Sequence, residues 1–236
     1  MLEVRNLCVH YGRAQLLFDV SFTANAGEVL VLVGRNGAGK STIMKAIMGL
    51  LPDVTGEVRF DGAPITGLTA HEISRRGLGY VPEDRRIFTD LTVAENLEVG
   101  RQASRKDVTD APRWTVERVC ELFPKLAEML DRPGGHLSGG EQQMLTIART
   151  LMGNPKAILL DEPSEGLAPI VVENIAKSVQ ALKREGLCVI LSEQNLRFAR
   201  AVADRAVVID RGVVKFSGGF AELEANSSLS DSYLSL

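Results

Sequence analysis

Short aliphatic runs alternate along the chain with longer segments in which apolar residues recur every three or four positions. Two of these longer segments, 41–51 and 170–186, have the spacing of a helix. The short runs are VLVLV (29–33), AILLD (157–161), CVILS (188–192) and AVVID (206–210). A short run that is apolar at nearly every residue is typical of a buried strand. Because such strands alternate with helices, the pattern predicts an α/β fold.

Two regions depart from this alternation. GEVRFDGAPI (56–65) alternates apolar and polar residues around an Asp-Gly turn, which predicts a β-hairpin. Between residues 85 and 152 the β-branched runs disappear, and helical patterns such as TVERVCELFPKLAEML dominate. We therefore expect a single domain in which a helical subdomain, 85–152, is inserted into an α/β core formed by 1–84 and 153–236.

Composition and local sequence limit which ligands, metal sites and locations we expect for this chain. The 236 residues carry a net charge of −3, which argues against electrostatic trapping of nucleic acid. Cys8, Cys120 and Cys188 match no zinc-binding spacing, so we expect buried thiols. The N-terminus lacks a basic segment followed by an apolar one, and no apolar run could span a bilayer, so a cytoplasmic location is expected. The polar, serine-rich stretch 224–236 predicts a surface tail.

The stretch GRNGAGKST (34–42), here called the phosphate loop, contains the pattern G-x-x-x-x-G-K-[ST] between a predicted strand and a predicted helix. Its glycines allow the backbone to curl so that N–H groups face a triphosphate. Lys40 would reach the β- and γ-phosphates, and Ser41 would bind Mg²⁺. A glycine-rich turn with a solvated lysine is the alternative. The predicted ATP-binding positions are Gly34, Asn36, Gly37, Gly39, Lys40, Ser41 and Thr42.

Two carboxylates follow the aliphatic run AILL at the end of a predicted strand, where α/β sheets place their ligands. Asp161 is a candidate ligand of Mg²⁺. Glu162 is a candidate for orienting or deprotonating the attacking water. A charged pair at a solvated strand end would be the favoured interpretation if the phosphate loop were absent.

LSGGEQQ (137–143), here called the signature loop, places two glycines just before a predicted helix. Ser138 and Glu141 have the spacing of a capping box, which would explain a helix start by itself. A capping box does not require Gly139 and Gly140, however. Their lack of side chains indicates that a ligand contacts the backbone there.

The order of these three motifs resembles the ATP-binding subunit of ABC transporters over essentially the whole chain. The resemblance implies a P-loop NTPase (RecA-like) core with an N-terminal antiparallel β subdomain and an inserted helical subdomain. It also implies head-to-tail pairing of two subunits, with each ATP between the phosphate loop of one chain and the signature loop of the other. Ser138, Gly139, Gly140 and Glu141 would then serve the partner's ATP.

Further site positions follow from this resemblance. Tyr11 matches the aromatic residue that stacks on adenine, with an ordinary strand-edge tyrosine as the alternative. Glu83 stands where the family usually has glutamine, and we expect it either on Mg²⁺ or turned outward, because a carboxylate beside phosphate is repelled. Gln194 replaces the usual switch histidine and can still donate a hydrogen bond, so a working but modest ATPase is expected. An aspartate usual after the catalytic glutamate is missing from PSEGLAP.

The segments VPEDRRIF, DEPSEGLAP and EQN resemble one branch of the family. That branch contains the shorter of two ATPases in importers of branched-chain amino acids and related hydrophobic or amide substrates, including urea. A regulatory subunit that binds ATP but hardly hydrolyses it is an alternative. A DNA-repair or translation-associated ATPase is disfavoured, since those usually have tandem cassettes or long insertions.

The resemblance also implies partners. These are a longer ATPase paralogue, or a second copy of this chain, together with two transmembrane permeases and, indirectly, a substrate-binding protein outside the membrane. No nucleic acid is expected. Arg85, Arg86, Ile87 and Phe88 follow the Glu83 loop and are expected to face a permease, because an apolar pair beside two arginines suits an anchor with a polar rim. The chain would then sit peripherally at the cytoplasmic face of the membrane.

Overall fold

A computed structural model describes residues 1–101 and 114–226. The strands are β1 (Leu2–Tyr11), β2 (Ala14–Ala24), β3 (Val29–Val33), β4 (Val54–Phe60), β5 (Ala63–Pro64), β6 (Leu78–Val81), β7 (Ala157–Asp161), β8 (Cys188–Glu193), β9 (Arg205–Asp210) and β10 (Val213–Gly219). The helices are α1 (Lys40–Ile47), α2 (Ala70–Arg75), α3 (Val93–Gly100), α4 (Val116–Leu122), α5 (Pro124–Ala127), α6 (Gly139–Leu151), α7 (Pro169–Arg184), α8 (Leu196–Val202) and α9 (Phe220–Ala225). Most of the predicted serine-rich tail lies outside the described residues.

The strands form two sheets. The first is antiparallel, with the order β2-β1-β4-β5. The second has the order β10-β9-β3-β8-β7-β6, in which β9 through β6 run parallel and β10 pairs antiparallel to β9. The structure thus confirms the predicted α/β class and the N-terminal antiparallel sheet.

The parallel sheet separates two hydrophobic cores, as its sequence pattern requires. Along β3, Val29, Val31 and Val33 face one core, which also contains apolar residues of α6 and α7. Leu30 and Leu32 face the other core, which includes α1 and the antiparallel sheet. Successive residues of a strand point to opposite faces, so VLVLV must be apolar throughout to fill both cores.

The helical prediction between 85 and 152 agrees with the described residues of that stretch, which contain helices and no strand beyond one isolated bridge. The long pattern at 115–130 is divided into α4 and α5 at Phe123, because Pro124 cannot continue a helix from the preceding turn. The helix predicted over 41–51 ends earlier, at Ile47, and Gly49 follows with φ 65°. The exact boundaries of the inserted subdomain stay a prediction.

The expectation of three buried thiols is wrong in part. Cys188 on β8 is buried, whereas Cys8 and Cys120 are partly exposed. The Cys8 thiol donates to a carboxylate oxygen of Asp19, 3.4 Å away, at a site that is open to solvent. Among the described helices, none is both long enough and apolar enough to cross a membrane.

Candidate functional site

The phosphate loop connects β3 to α1, and its glycines are required by the local backbone. Gly37 and Gly39 have φ values of 77° and 111°, a region that side chains rarely adopt. A Cβ on Gly34 would lie 2.4 Å from the carbonyl oxygen of Ile209. The loop therefore curls as the sequence predicts.

Lys40 begins α1 and extends back across the loop. Its ammonium lies 2.8 Å from the carbonyl oxygen of Gly34 and 3.0 Å from Oε1 of Glu162, and both charged side chains are buried. A buried ion pair is stable only when both charges stay compensated. In this conformation Lys40 is held by the candidate base, and an incoming phosphate would have to replace that carboxylate.

Asp161 ends β7 and accepts hydrogen bonds from three neighbouring elements. Ser41 Oγ donates to Oδ1 at 2.9 Å, Ser192 Oγ donates to the same oxygen at 2.7 Å, and the Tyr80 hydroxyl donates to Oδ2 at 3.1 Å. Burial and the adjacent Asp161 raise the pKa of the Tyr80 phenol, so it remains a donor. The Ser41 hydroxyl beside the Asp161 carboxylate is an all-oxygen pair of the kind that Mg²⁺ prefers, so the residues fit the ion.

Glu162 has an unusual backbone. Its φ of 45° is uncommon for a residue with a side chain, and such strain persists where the surroundings enforce it. The Glu162 N–H donates to Ser192 Oγ at 2.9 Å. Gln194 Nε2 lies 3.5 Å from Glu162 Oε2, at the limit of a hydrogen bond. The structure thus brings together Glu162 and Gln194, two of the three side chains predicted to be catalytic, and the third, Glu83, lines the pocket described next.

The phosphate loop and Glu162 line a pocket of about 280 Å³. Glu83 is exposed and lines this pocket, and its predicted role, on Mg²⁺ or turned outward, stays a prediction. The lining residues are Asn36, Gly37, Ala38, Gly39, Lys40, Ser41, Thr42, Glu83, Glu162 and Glu165.

The sequence analysis missed Glu165, Tyr80 and Ser192. The Glu165 carboxyl hydrogen-bonds that of Glu162, and this contact together with burial raises the pKa of Glu165 to about 7. The available signal for Glu165 was its position three residues after the candidate base. Tyr80 and Ser192 lie near the carboxyl ends of β6 and β8, the strands that flank β7. The order and register of these strands would therefore have identified both residues.

Tyr11 lies apart from this pocket. It ends β1 with 74% of its surface exposed, and it is not among the residues that line the pocket. An exposed aromatic ring is available for stacking, but the structure gives it no contact that distinguishes this role from that of an ordinary strand-edge tyrosine.

The signature loop forms the capping box that its spacing predicts. The Ser138 N–H donates to Glu141 Oε2 at 2.7 Å, and the Glu141 N–H donates to Ser138 Oγ at 3.4 Å. The hydrogen bond from the Ser138 backbone lowers the pKa of Glu141. A Cβ on Gly140 would lie 2.7 Å from Val171 Cγ1, and one on Gly139 would lie 2.9 Å from Arg85 Nη1. Packing against Val171 therefore explains why residue 140 is a glycine, independently of any ligand.

Glu193 connects the two loops that flank the candidate base. Its carboxylate accepts from the backbone N–H of Ser164 at 3.1 Å and from that of Asn195 at 3.2 Å. Burial is the main cause that raises the pKa of Glu193 to about 7. Through these bonds the loop after Glu162 and the loop that carries Gln194 share one anchor.

Comparison with known proteins places these features in context. The family described as ABC transporter matches residues 17–165. The chain is 42% identical over 234 residues to the high-affinity branched-chain amino acid transport ATP-binding protein BraG of Pseudomonas aeruginosa, covering 99% of both chains. It is 36% identical over 235 residues to the lipopolysaccharide export system ATP-binding protein LptB of Escherichia coli, covering 99% and 96%. A solved nucleotide-free ATP-binding cassette from an ABC transporter matches with a TM-score of 0.82 and 30% identity, covering 97% and 95%.

Proposed function

This chain belongs to the ABC transporter family as an ATP-hydrolysing subunit, and we propose that the transporter it energises imports branched-chain or related hydrophobic amino acids. The observation that supports ATP hydrolysis is the buried Lys40–Glu162 pair beside Ser41 and Asp161. The observation that supports amino-acid cargo is the 42% identity to BraG over nearly the whole chain.

The geometry suggests how the site would work. An ATP phosphate would replace the Glu162 carboxylate on Lys40, since both are anions and the loop N–H groups favour phosphate. Glu162, released from the ammonium, would then orient the attacking water and accept its proton. Ser41 and Asp161 would hold Mg²⁺, with Glu83 as a further candidate, and the ion would neutralise charge on the phosphates. Gln194 would stay within reach of Glu162 as a neutral donor.

Two other cargoes remain candidates. The 36% identity to LptB favours lipopolysaccharide export as the second candidate, and the resemblance of the sequence motifs also includes urea or amide import. A regulatory subunit with little turnover is disfavoured because Glu162 is present and lies against the phosphate loop.

We infer that the complete ATP site forms between two chains. The signature residues Ser138, Gly139, Gly140 and Glu141 do not line the phosphate pocket of their own chain among its described residues. The backbone N–H groups of Gly139 and Gly140, which the capping box does not use, suit the terminal phosphate of ATP bound to a partner. A longer paralogue is the proposed partner, with a second copy of this chain as the alternative.

ABC ATPases work with transmembrane permeases, and we propose that residues 85–88 contact one at the cytoplasmic face of the membrane. Arg85 and Arg86 have φ values of 61° and 48°, so the backbone turns sharply there. Phe88 projects with 46% of its surface exposed, while Ile87 packs partly against the core. A substrate-binding protein on the other side of the membrane would complete an importer.

Reconstitution into proteoliposomes with the permeases and the second ATPase that copurify with this chain from its native host tests the cargo. We expect ATP-dependent accumulation of leucine, isoleucine or valine when the binding protein is supplied. Urea and an aliphatic amide are the comparison substrates, and lipopolysaccharide release from the same vesicles tests export. Accumulation of urea alone, or release of lipopolysaccharide alone, would replace the amino-acid proposal.

A further inference from the structure

A groove of about 480 Å³ lies between the first half of α7 and α8, and we call it the α7–α8 groove. Its lining is mostly apolar. Ile170 is 63% exposed there, whereas Phe198 is buried. The other apolar lining residues are Leu167, Pro169, Val172, Ala176 and Ala201. An exposed isoleucine at the edge of an apolar groove indicates a surface that another segment covers.

Two loops of the ATP site reach this groove. Leu167 belongs to the loop that follows Glu162, and Asn195 comes directly after Gln194. Both Leu167 and Asn195 line the groove. A segment bound in the groove would therefore contact the loops on either side of the candidate base.

Hydrogen bonds between the two helices fix the width of the groove. Gln180 lies one turn after the lining residue Ala176 on α7. Its Nε2 donates to the backbone oxygen of Ala201 at 3.1 Å and to that of Val202 at 3.2 Å, at the end of α8. The groove is thus a feature of the folded chain and does not depend on a bound segment for its shape.

The groove also has a cation that can accept an acidic partner. Arg197 is exposed, lines the groove and forms no ion pair within the described part of the chain. Glu173, the acidic residue of the lining, is paired instead with Lys177 at 2.8 Å. That hydrogen bond is the main cause that lowers the pKa of Glu173, and Arg197 is a lesser one.

Residues 227–236, SSLSDSYLSL, match this combination of apolar surface and positive charge. Leu229, Tyr233, Leu234 and Leu236 are their apolar residues, and Asp231 is their only charged residue. An acidic residue two positions before a tyrosine and a leucine suits a groove in which an arginine lies beside apolar side chains.

The position of α9 brings this segment within reach of the groove. α9 packs into the same hydrophobic core as α7 and α8, and its Glu224 forms an ion pair with Arg200 of α8. Arg197 lies one turn earlier on α8, a rise of about 5.4 Å. Extended chain from residue 226 to Asp231 spans roughly 16 Å. Asp231 can therefore reach Arg197.

We propose that residues 227–236 bind in the α7–α8 groove of their own chain, with Asp231 paired to Arg197. Tyr233 and Leu234 would then lie on the apolar lining and cover Ile170. The volume of the groove accommodates a few side chains, so part of the segment fills it. This binding uses the chain alone and does not rest on the cargo or on any partner.

Photo-crosslinking in the full chain tests where the segment binds. Benzoylphenylalanine replaces Tyr233, and the crosslinked peptides are sequenced by mass spectrometry. We expect links to residues 169–176 of α7 or 196–201 of α8. The same probe in place of Arg5, which is exposed on β1 across the parallel sheet from these helices, should give no such link. Links from residue 233 to other parts of the chain, or none, would overturn the proposal.

Isotope labelling separates binding within one chain from binding to a second copy. Chain labelled with ¹⁵N is mixed with unlabelled chain before illumination. Both halves of each crosslinked product should carry the same label. Products that join a labelled half to an unlabelled half at the statistical frequency would show that a second copy occupies the groove.

Exchanging the charges tests the ion pair. Arg197→Glu should lower the crosslinking yield at least roughly twofold, because it replaces attraction by repulsion at an exposed site. Asp231→Arg should do the same without altering the described fold, and the double variant should recover most of the yield. Arg184→Glu makes the same change of charge at the exposed end of α7, outside the groove, and should leave the yield unchanged. A parent yield in both single variants, or no recovery in the double variant, would reject the pairing.

Discussion

The phosphate loop and the signature loop are both glycine-rich turns before a helix, yet their polar groups are satisfied in opposite ways. At the phosphate loop, Lys40 and Ser41 bind the distant residues Glu162 and Asp161. At the signature loop, the side chains of Ser138 and Glu141 hydrogen-bond within their own capping box and, among the described residues, to no distant part of the fold.

Because of this difference, we expect contacts of the phosphate loop to change when ATP binds, whereas the signature loop can contact a nucleotide without such a change. An ATP phosphate at Lys40 would compete with the buried Glu162 carboxylate, so we expect ATP binding and release of the candidate base to be coupled. The capping box already satisfies the N–H groups of Ser138 and Glu141 at the start of α6 without any ligand. A nucleotide on a partner chain could contact it without breaking a bond to another part of the fold.

The largest effect should come from removing the base. Glu162→Gln should bind ATP and lower the turnover rate by about 10²–10⁴-fold, since the amide cannot accept a proton from water. Steady-state phosphate release measures the rate, and size exclusion with ATP should show a trapped dimer. Hydrolysis at the parent rate would show that Glu162 is not the base.

A matched control is Glu165→Gln, which changes the neighbouring carboxyl in the same pocket. Its loss of rate should be smaller than that of Glu162→Gln, because Glu165 hydrogen-bonds Glu162, whereas in the described part of the chain it is Glu162 that forms the ion pair with Lys40. Equal losses would assign the proton transfer to the pair of carboxyls.

The next effect tests whether the signature loop serves another chain. Ser138→Arg should lower hydrolysis at the partner's nucleotide by roughly 100-fold, since a long side chain would occupy the space of the phosphate and misplace it. Site-resolved photolabelling with vanadate, in the complex with the second ATPase, measures trapping on each chain. Loss of trapping on this chain with trapping on the partner intact would show that the two loops act in cis.

Ser138→Ala controls for the cap. It removes the Ser138 hydroxyl from Glu141 and should cost about 1 kcal/mol of unfolding free energy. It leaves the space for a phosphate open. Trapping on the partner should therefore fall far less than with Ser138→Arg.

A smaller effect is expected from Lys40→Ala. Losing one charged contact to phosphate should weaken ATP binding by about 1.5–3 kcal/mol, or roughly 10–150-fold, as measured by titration calorimetry. The same change leaves Glu162 buried without its cation, so the chain should also lose stability. The double variant with Glu162→Gln should recover that stability but not the affinity. Unchanged affinity in Lys40→Ala would reject the phosphate-loop assignment.

Site residues that lie next to one another in the sequence, as part of one motif, can be predicted from the sequence. Lys40 and Ser41 follow the loop that they serve, and Asp161 with Glu162 ends an aliphatic strand, so spacing alone identifies them. Tyr80 and Ser192 contact Asp161 only because β6 and β8 flank β7. Strand order is a property of the whole sheet, and one sequence does not reveal it.

Two further features of the site depend on the backbone conformation, which a single sequence does not reveal. The pairing of Glu162 with Glu165 occurs on a turn where Glu162 has φ 45°. No residue pattern in the segment DEPSEGLAP predicts that conformation. Gly140 was assigned wholly to a ligand, but Val171 at the start of α7 leaves no room for a side chain there. A glycine pair in a sequence thus indicates a close approach without indicating what approaches.

The last predicted effect is on stability and concerns Glu193, whose carboxyl group holds the loops on either side of the base. Its pKa is raised from 4.5 to about 7 by burial, so the folded chain keeps a proton that the unfolded chain releases at lower pH. Stability should therefore fall as pH rises from about 4.5 to about 7 and stay level above that. Glu193→Gln lacks this penalty, and its amide oxygen can accept the same two hydrogen bonds as the protonated carboxyl. The gain in unfolding free energy should be about 3 kcal/mol at pH 8 and near zero at pH 4.5. Urea unfolding at both pH values measures it, and a gain that does not change with pH would contradict the assignment of the proton to Glu193.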